Sequence, residues 1–401
     1  MRIRGVLLFT MFLLLTGCWN KVELNDIAII SATGVDWKDG KWVLSYQVVI
    51  PKAISSTTGG NATAAVNVFS TEGENFRIAI SKASEESSRR LYFSHNQIVI
   101  ISQEAARKGI APLLESYLRN HDSRETVSVF LSKGNARRML EQLIPLEQIP
   151  GAAIQRMIAN EEAGSSAFRQ MTIHSVLKEL LSSTEATGIP GLVLAGSERS
   201  TDSIDKMGHT STPSKVRLKE LGLIHGDKLV GWLNDDQSRG VMWLTNNVDK
   251  TTVSFSCAEN VQGPDGSAVR ILQTTTKIQS VPMNGKWKMN IKVAAKGVLM
   301  VYSCSGDLTK PSEVERVERK IEEEIKAILL GGWKSVQKYK TDIVHFGQTI
   351  HKQHPKLWKE VSGSWDELFP LTEIDVTVKV KVESTGMSGR NFSDAQKKSD
   401  S

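Results

Sequence analysis

Two strand-like, mostly apolar runs, 27–35 and 42–50, flank Asp39-Gly40, while elsewhere apolar positions recur at helical spacing. Asp-Gly tolerates the positive φ of a tight turn, so the two runs around it predict a β-hairpin. From Glu74 the period changes: Phe76, Ile80, Ala83, Ser87 and Leu91 recur about every four residues with Arg and Glu between them, which predicts an amphipathic helix. A short buried strand is expected at 97–101, then one or two helices over 104–119 interrupted around Gly109 and Pro112, a strand at 126–131 and a helix at 136–143. Residues 152–163 and 172–183 read as helices, the second capped by Thr172, and 189–194 as a strand returning to this first module. The order mixes α and β without regular alternation, so a doubly wound sheet is not expected.

Residues 195–214 collapse into Ser, Thr, Asp and Gly, the composition of a flexible connection and the best domain boundary in the chain. Beyond it strand signals dominate: 216–224 and 229–233 around His225-Gly226-Asp227, then 251–257, 269–278 and 287–301, the last two joined through Asn284-Gly285. Ser312 and Glu315 read as a capping box opening a helix with the stripe Val314, Val317, Ile321, Ile325 and Ile328, which Gly331-Gly332 is expected to stop. Trp333, Val336, Tyr339, Ile343, Phe346 and Ile350 mark a second amphipathic helix, ended at His354-Pro355 because the residue before proline avoids the α region. Ile374, Val376, Val378, Val380 and Val382 alternate with polar residues in a half-buried strand. The expected fold class is α+β and multi-domain, with mixed sheets and packed amphipathic helices. A first α+β region at 18–197, of one or two discontinuous domains, is followed by a linker at 198–214, a hairpin-rich domain at 215–384 and a frayed polar tail at 385–401.

The N-terminus changes the setting. Arg2 and Arg4 precede ten apolar residues, 6–15, and then Leu15-Thr16-Gly17-Cys18. Ten residues are too few for a helix to cross a hydrocarbon core of about 30 Å, and the order basic, apolar, small is that of a signal peptide, here residues 1–17. Cys18 after Leu-Thr-Gly resembles the bacterial lipobox, in which the thiol takes a diacylglyceryl group and the chain is cut before it. Cys18 is therefore the expected lipidation site, as S-diacylglycerol with N-acylation. More than one acyl chain gives a stable anchor where a single one would be marginal. Over all 401 residues 40% are hydrophobic and 23% charged, and no other stretch is apolar enough to meet a membrane, which excludes both a multi-spanning membrane protein and wholesale disorder. A net charge of +6 from 50 basic and 44 acidic residues is too small to argue for nucleic acid. Cys257 and Cys304 remain. Outside the cytosol they can bridge across a sheet, but they read here as two separate small buried residues.

Chemistry is sparse. The chain has no G-x-S-x-G, H-E-x-x-H, C-x-x-C or phosphate-loop motif. His345 and His351 stand 240° apart on a helix at about 100° per residue and cannot converge on one ion, and His351 with His354 lacks a third ligand. Ser94-His95-Asn96 is the most catalytic-looking cluster, with turn chemistry as its ordinary explanation. Glu85-Glu86 and Glu322-Glu323-Glu324 read as solvated helix faces, and Trp232, Trp243 and Trp287 as core or near-core residues. No catalytic, metal or cofactor residue is expected, and the chain is not expected to be an enzyme.

Three blocks resemble the Ger(x)C family, the lipoprotein C subunits of nutrient germinant receptors in spore-forming Firmicutes. The first is Gly17-Cys18-Trp19-Asn20-Lys21-Val22-Glu23-Leu24-Asn25-Asp26 running into Thr33-Gly34-Val35-Asp36. The second is Arg90-Leu91-Tyr92-Phe93-Ser94-His95 with the strand after it, Gly109-Ile110, Arg119 and Arg124. The third is Asp342-Ile343-Val344-His345-Phe346-Gly347, where the family reads more like D-I-F-G-F-G, with His351, Pro355, Trp358, Trp365 and the final strand. The resemblance implies a three-domain α+β protein anchored by lipid to the outer face of the spore inner membrane. It also implies assembly with two integral membrane subunits, A-type and B-type, in a complex that senses small nutrients. The alternative is a lipid-anchored solute-binding protein of an importer, which should show two α/β lobes.

Overall fold

The computed structural model describes residues 23–55, 63–120, 122–196, 200–256 and 266–386, so Cys18, Cys257 and most of the expected tail lie outside the described residues. Strands β1 (Ile27–Lys38) and β2 (Lys41–Val49) form the expected hairpin, with Asp39 and Gly40 at φ 50° and 78°. β3 (Val66–Gly73) adds antiparallel to β2. On its other side β1 pairs in parallel with β4 (Arg90–Tyr92) and then β5 (Ile98–Ser102). Parallel pairing continues through β6 (Ser128–Ser132) and β7 (Ala186–Gly196), and β8 (Ser214–His225) and β9 (Lys228–Leu233) close the sheet antiparallel. Every residue of β5 and β6 is buried, as central strands covered on both faces should be. Ile98, Ile100 and Phe130 belong to one apolar cluster, and Val99, Ile101, Val129 and Leu131 to a second.

A second sheet contains β10 (Thr251–Phe255), β11 (Ser267–Met283), β12 (Lys286–Val301) and β13 (Glu373–Ser384) in that order. The first two pairings are antiparallel, and β13 runs parallel to β12. Trp287, Met289, Ile291, Val293 and Ala295 on its inner face share a cluster with Val317, Ile321, Ile325 and Leu329 of the long helix Pro311–Tyr339. Leu192 and Leu223 of the large sheet belong to the same cluster, so one continuous core joins the two sheets.

Several expectations are corrected. The helix expected from Glu74 to Leu91 is two short pieces, Phe76–Ser81 and Ala83–Glu86; Leu91 instead pairs with Ala28 as part of β4. The segment expected as a flexible linker joins two strands of one sheet, whose pairing begins at Gly196 and Ser214. Thr201 and Ser214 are buried there, each donating to Oε1 of Gln142, at 2.9 and 2.7 Å. The helix Asp235–Leu244 was not anticipated; Asn234 and Gln237 supply its capping box.

Gly331-Gly332 does not end the long helix, which runs 29 residues from Pro311 to Tyr339. A Cβ on Gly332 would lie 2.6 Å from the backbone of Gly240, so the two helices cross with no side chain between them, and this contact holds the glycine inside the helix. The Ser312–Glu315 capping box does not form: Lys310 is the N-cap residue, without a side-chain bond, and Pro311 opens the helix. The second helix expected from Trp333 to Ile350 is interrupted: the long helix ends at Tyr339, Lys340 follows at φ 53°, and a new helix runs Phe346–Gln353. Finally, Cys304 is buried and disulfide-bonded, which replaces the expected free thiol at that position.

Candidate functional site

Residues of the three resemblance blocks hold helices and strands in place. Asp36, near the end of β1, is buried, and its carboxylate accepts from the backbone N–H groups of Ala136 (2.9 Å) and Arg137 (3.2 Å), at the start of the helix Ala136–Glu141. Burial pushes its carboxyl above the usual range, against the pull of those bonds. Gln47 on β2 extends the same device: Oε1 accepts from Ser31 Oγ (2.8 Å) and the N–H of Gly151 (3.1 Å), and Nε2 donates to the carbonyl of Leu140 (2.7 Å).

In the second block, Phe93–His95 is a single 3-10 turn. Ser94 Oγ donates to the carbonyl of Asp122 (3.1 Å) and Asn96 Nδ2 to Tyr117 Oη (2.9 Å), while His95 is exposed with its ring against Tyr92. These are turn contacts, and no nucleophile–base pair forms among them.

The third block makes the most connected polar site. Asp342 is buried in the break after the long helix. Its Oδ1 accepts from the N–H of Phe346 (2.9 Å), and its Oδ2 from the N–H of Gly347 (2.7 Å) and Trp365 Nε1 (2.9 Å). The first N–H groups of the helix Phe346–Gln353 are thus satisfied by a carboxylate. Burial raises the Asp342 carboxyl to about 6 despite these donors.

His345, at φ 59°, turns its ring toward Glu179 of the helix Ile173–Leu180, with Nε2 3.7 Å from Oε1. Glu179 also pairs with Arg169 and accepts from Thr187 Oγ1 (2.6 Å) on β7. Burial works to raise the Glu179 carboxyl, but His345, Arg169 and Thr187 outweigh it and hold the group at about 2. On the same side, His225 at the end of β8 lies 3.3 Å from Asp366. The block from Asp342 to Asp366 therefore bolts the second sheet's helices onto the start of β7 and the end of β8.

All four carboxylate oxygens of Asp342 and Glu179 are occupied in this way by groups of the chain itself, and the site fixes chain segments to one another. His351 stacks on Trp358, and His354 Nε2 lies 3.0 Å from the Ser280 carbonyl, so these histidines and His345 face three different partners. Among the described residues no group of three His, Cys, Asp or Glu side chains is placed to hold a metal. Trp243 and Trp287 are buried in the core, while Trp232 donates to Gln103 Oε1 at 2.9 Å. Glu179, Arg169 and Thr187 were not singled out from the sequence. The one local signal is a carboxylate three residues after Val176, on the buried stripe of its helix.

The start of β1 and the end of β2 flank an open cleft of about 450 Å³, lined by Ile27, Ile29, Val48 and Phe69, with Lys52 and Arg89 among its polar residues. Asn25, seven positions after Cys18 in the sequence, also lines it. Among the described residues no helix is long and apolar enough to cross a membrane.

Comparisons with known proteins cover almost all of the chain. Residues 20–193 match a family described as Spore germination protein N-terminal domain, and residues 219–386 one described as Spore germination B3/GerAC like, C-terminal. Spore germination protein KC of Bacillus subtilis (strain 168) is 30% identical over 393 residues, 96% of this chain and 95% of that protein. Spore germination protein B3 of the same organism is 24% identical, over 96% of this chain and 98% of that one. Spore germination protein GerQC of Bacillus cereus is 20% identical, over 96% and 99%. The crystal structure of the GerBC protein superposes with a TM-score of 0.52 at 20% identity, covering 88% of this chain and 96% of that one, and shares the fold.

Proposed function

Because the chain belongs to the Ger(x)C family of spore germination proteins, we propose that it is a lipid-anchored, non-catalytic subunit of a nutrient germinant receptor. The observation that carries this reading is the end-to-end similarity to spore germination protein KC, with both family domains in order. Cys18 carries the anchor, as S-diacylglycerol with an N-acyl chain. Eight residues, 19–26, lie between it and the start of β1; Leu24–Asp26 form a 3-10 turn, so the stretch from Cys18 to Glu23 reaches at most about 18 Å. The protein thus stands close to the outer face of the spore inner membrane, and confinement to that surface raises its effective concentration for the A-type and B-type integral membrane subunits.

Its work there is to present surfaces. The polar junction at Asp342 and Glu179 supports this by fixing the two sheets in one arrangement, and it offers no nucleophile or ligand-sized polar chamber. The two α/β lobes of an importer's solute-binding protein are not the architecture seen.

The test is recovery of the tagged chain from detergent-solubilised spore inner membranes, with mass spectrometry of its companions. Recovery of A-type and B-type subunits is expected; importer permease and ATPase components in their place would refute the reading. Cys18→Ala is expected to release the folded chain from the membrane and impair the spore response to nutrients.

A further inference from the structure

The four-stranded sheet has one face covered and one bare. Inward residues of β12 and β13 pack on the long helix, while Lys292, Ala294, Lys296, Thr377, Lys379 and Lys381 are exposed on the other side. Parallel strand pairs are ordinarily buried on both faces, so an uncovered β12–β13 pair is unusual.

The charges on that face are more unusual still. Lys277 lies directly opposite Lys292 on the antiparallel neighbour, and Lys296 directly opposite Lys381 on the parallel one. Like charges in register across strands are destabilising, and solubility alone does not require them to be placed opposite each other. Lys288 and Lys296 pair with Asp375 and Glu383 at the border of the patch, at 3.0 and 3.3 Å, and Lys379 reaches Glu322 at 3.5 Å. Among the described residues Lys277, Lys292 and Lys381 have no carboxylate partner. Between them stand the small side chains Thr275, Ala294 and Thr377, which leave the surface low and open. Toward the end of the strands the exposed Leu272 and Met300 add apolar area.

Along β13, and along β11 beyond its pairing with β10, edge positions of the same sheet are occupied. Glu318 and Glu322 accept from the N–H groups of Val382 (2.8 Å) and Val380 (3.1 Å) along β13, and Gln353 Oε1 accepts from the N–H of Ser280 (2.7 Å) along β11. Edge groups occupied in this way do not recruit another strand. Beside these occupied positions the broad surface open to an outside molecule is the face.

We propose that the outer face of this sheet, centred on Lys277, Lys292, Lys296 and Lys381, docks a protein surface that presents clustered carboxylates beside an apolar element. A bilayer of anionic lipid fits less well. Glu373, Asp375 and Glu383 are exposed on the same face and would meet a uniformly negative plane, whereas a protein can set acids against the lysines and bases against these three. The proposal stands on this charge pattern and not on the lipid at Cys18.

The experiment uses the full chain in its native membranes. Zero-length carbodiimide coupling joins lysines to carboxylates in contact, and peptide mass spectrometry locates the links. A parallel acylation time course compares the face lysines with the exposed Lys326 and Lys334 of the long helix. The expected result is amide links from Lys277, Lys292 or Lys381 to Asp or Glu of another polypeptide, with slowed acylation of the face lysines alone. Links only within the chain, with acylation as fast as at Lys326 and Lys334, would overturn the proposal. Slowed acylation without protein links, reproduced by the purified chain on phosphatidylglycerol vesicles, would replace it with a lipid contact. The combined variant Lys277→Gln, Lys292→Gln, Lys381→Gln is expected to melt at the same temperature or higher and to lose the intermolecular links at Lys296. A lower melting temperature would show that these lysines serve the fold and would also overturn it.

Discussion

The two sheets answer the same physical demand in different ways. A parallel strand pair needs both faces covered. In the large sheet the chain supplies both covers: β5 and β6 lie between two apolar clusters, and buried polar groups such as Asp36, Gln47 and Gln142 find partners within the protein. In the four-stranded sheet the chain supplies one cover, the long helix, caps backbone groups along β13 with side chains and leaves a lysine-rich face to solvent. The first sheet is a self-sufficient scaffold. The second is a layer with one side available to another molecule, held at a fixed attitude by the junction around Asp342.

The largest expected effect tests whether that junction makes one unit of the two sheets. Trp333 is buried with its ring 5.1 Å from Phe346 and 5.2 Å from Phe369, at the place where the long helix meets the segment that bolts onto β7. Trp333→Ala should lower stability by about 3–5 kcal/mol, as large-to-small changes at buried aromatics do. Urea unfolding followed by fluorescence and far-ultraviolet dichroism is expected to show one shifted transition. Two separated transitions would mean that the sheets unfold independently and that the continuous core couples them only weakly.

Next is Asp342, which holds two backbone N–H groups and the Trp365 indole. Asp342→Ala strands those buried donors and should lower stability by about 2–3 kcal/mol. Asp342→Asn keeps one acceptor oxygen but turns an NH2 group toward the remaining donors, so it should recover only part of the loss. Full recovery with Asn would show that water or backbone movement satisfies the second pair. The measurement is the midpoint shift in urea at constant slope.

Much of this architecture was legible in the sequence where a decision is local. Alternation at Ile374 to Val382 marked β13, Asp39-Gly40 marked the first hairpin, and Thr172 was placed at a cap it does occupy. Decisions that depend on a distant partner were not legible. Gly331-Gly332 looks like a stop and is a helix crossing, because what matters is Gly240 about ninety residues away. Residues 195–214 look like a linker, but Gln142 buries two of them and the large sheet continues across them. The polar junction was half visible: Asp342, His345 and Trp365 lie in the resemblance block, whereas Glu179 is one carboxylate among many until β7 brings Thr187 beside it.

Acid titration should distinguish the two buried carboxylates by sign. The Glu179 group is held at about 2, below its ordinary 4.5, so its stabilising contribution is present above pH 4.5 and is lost as pH falls toward 2. Asp342 is raised from 3.8 to about 6, so the folded state holds that proton longer and this group's contribution falls as pH rises between those values. The wild-type midpoint should therefore rise with pH at the acid end and flatten or decline toward pH 6. Glu179→Gln should shrink the acid-side rise, and Asp342→Ala the later decline, to which the raised Asp36 carboxyl also contributes. Loss of both limbs in either single variant would mean that the groups titrate as one coupled pair through His345.

The smallest effect is the most informative about the bare face. Ile291 and Lys292 are adjacent on β12, one buried against the long helix and the other exposed opposite Lys277. Truncating Ile291 would open a cavity, but Lys292→Gln removes only one of two like charges in register. Its expected effect is a gain within about 0.5 kcal/mol, and the gain should shrink as salt screens the repulsion. Thermal melts at low and high ionic strength check both the sign and the salt dependence. A loss of stability that persists in high salt would show that Lys292 has a favourable role within its own sheet, and the contrast between a finished and an available layer would fail at the residue where it is sharpest. A salt-sensitive gain would mean that the isolated fold is better off without this lysine, so the reason for keeping a destabilising pair in register must lie outside the chain.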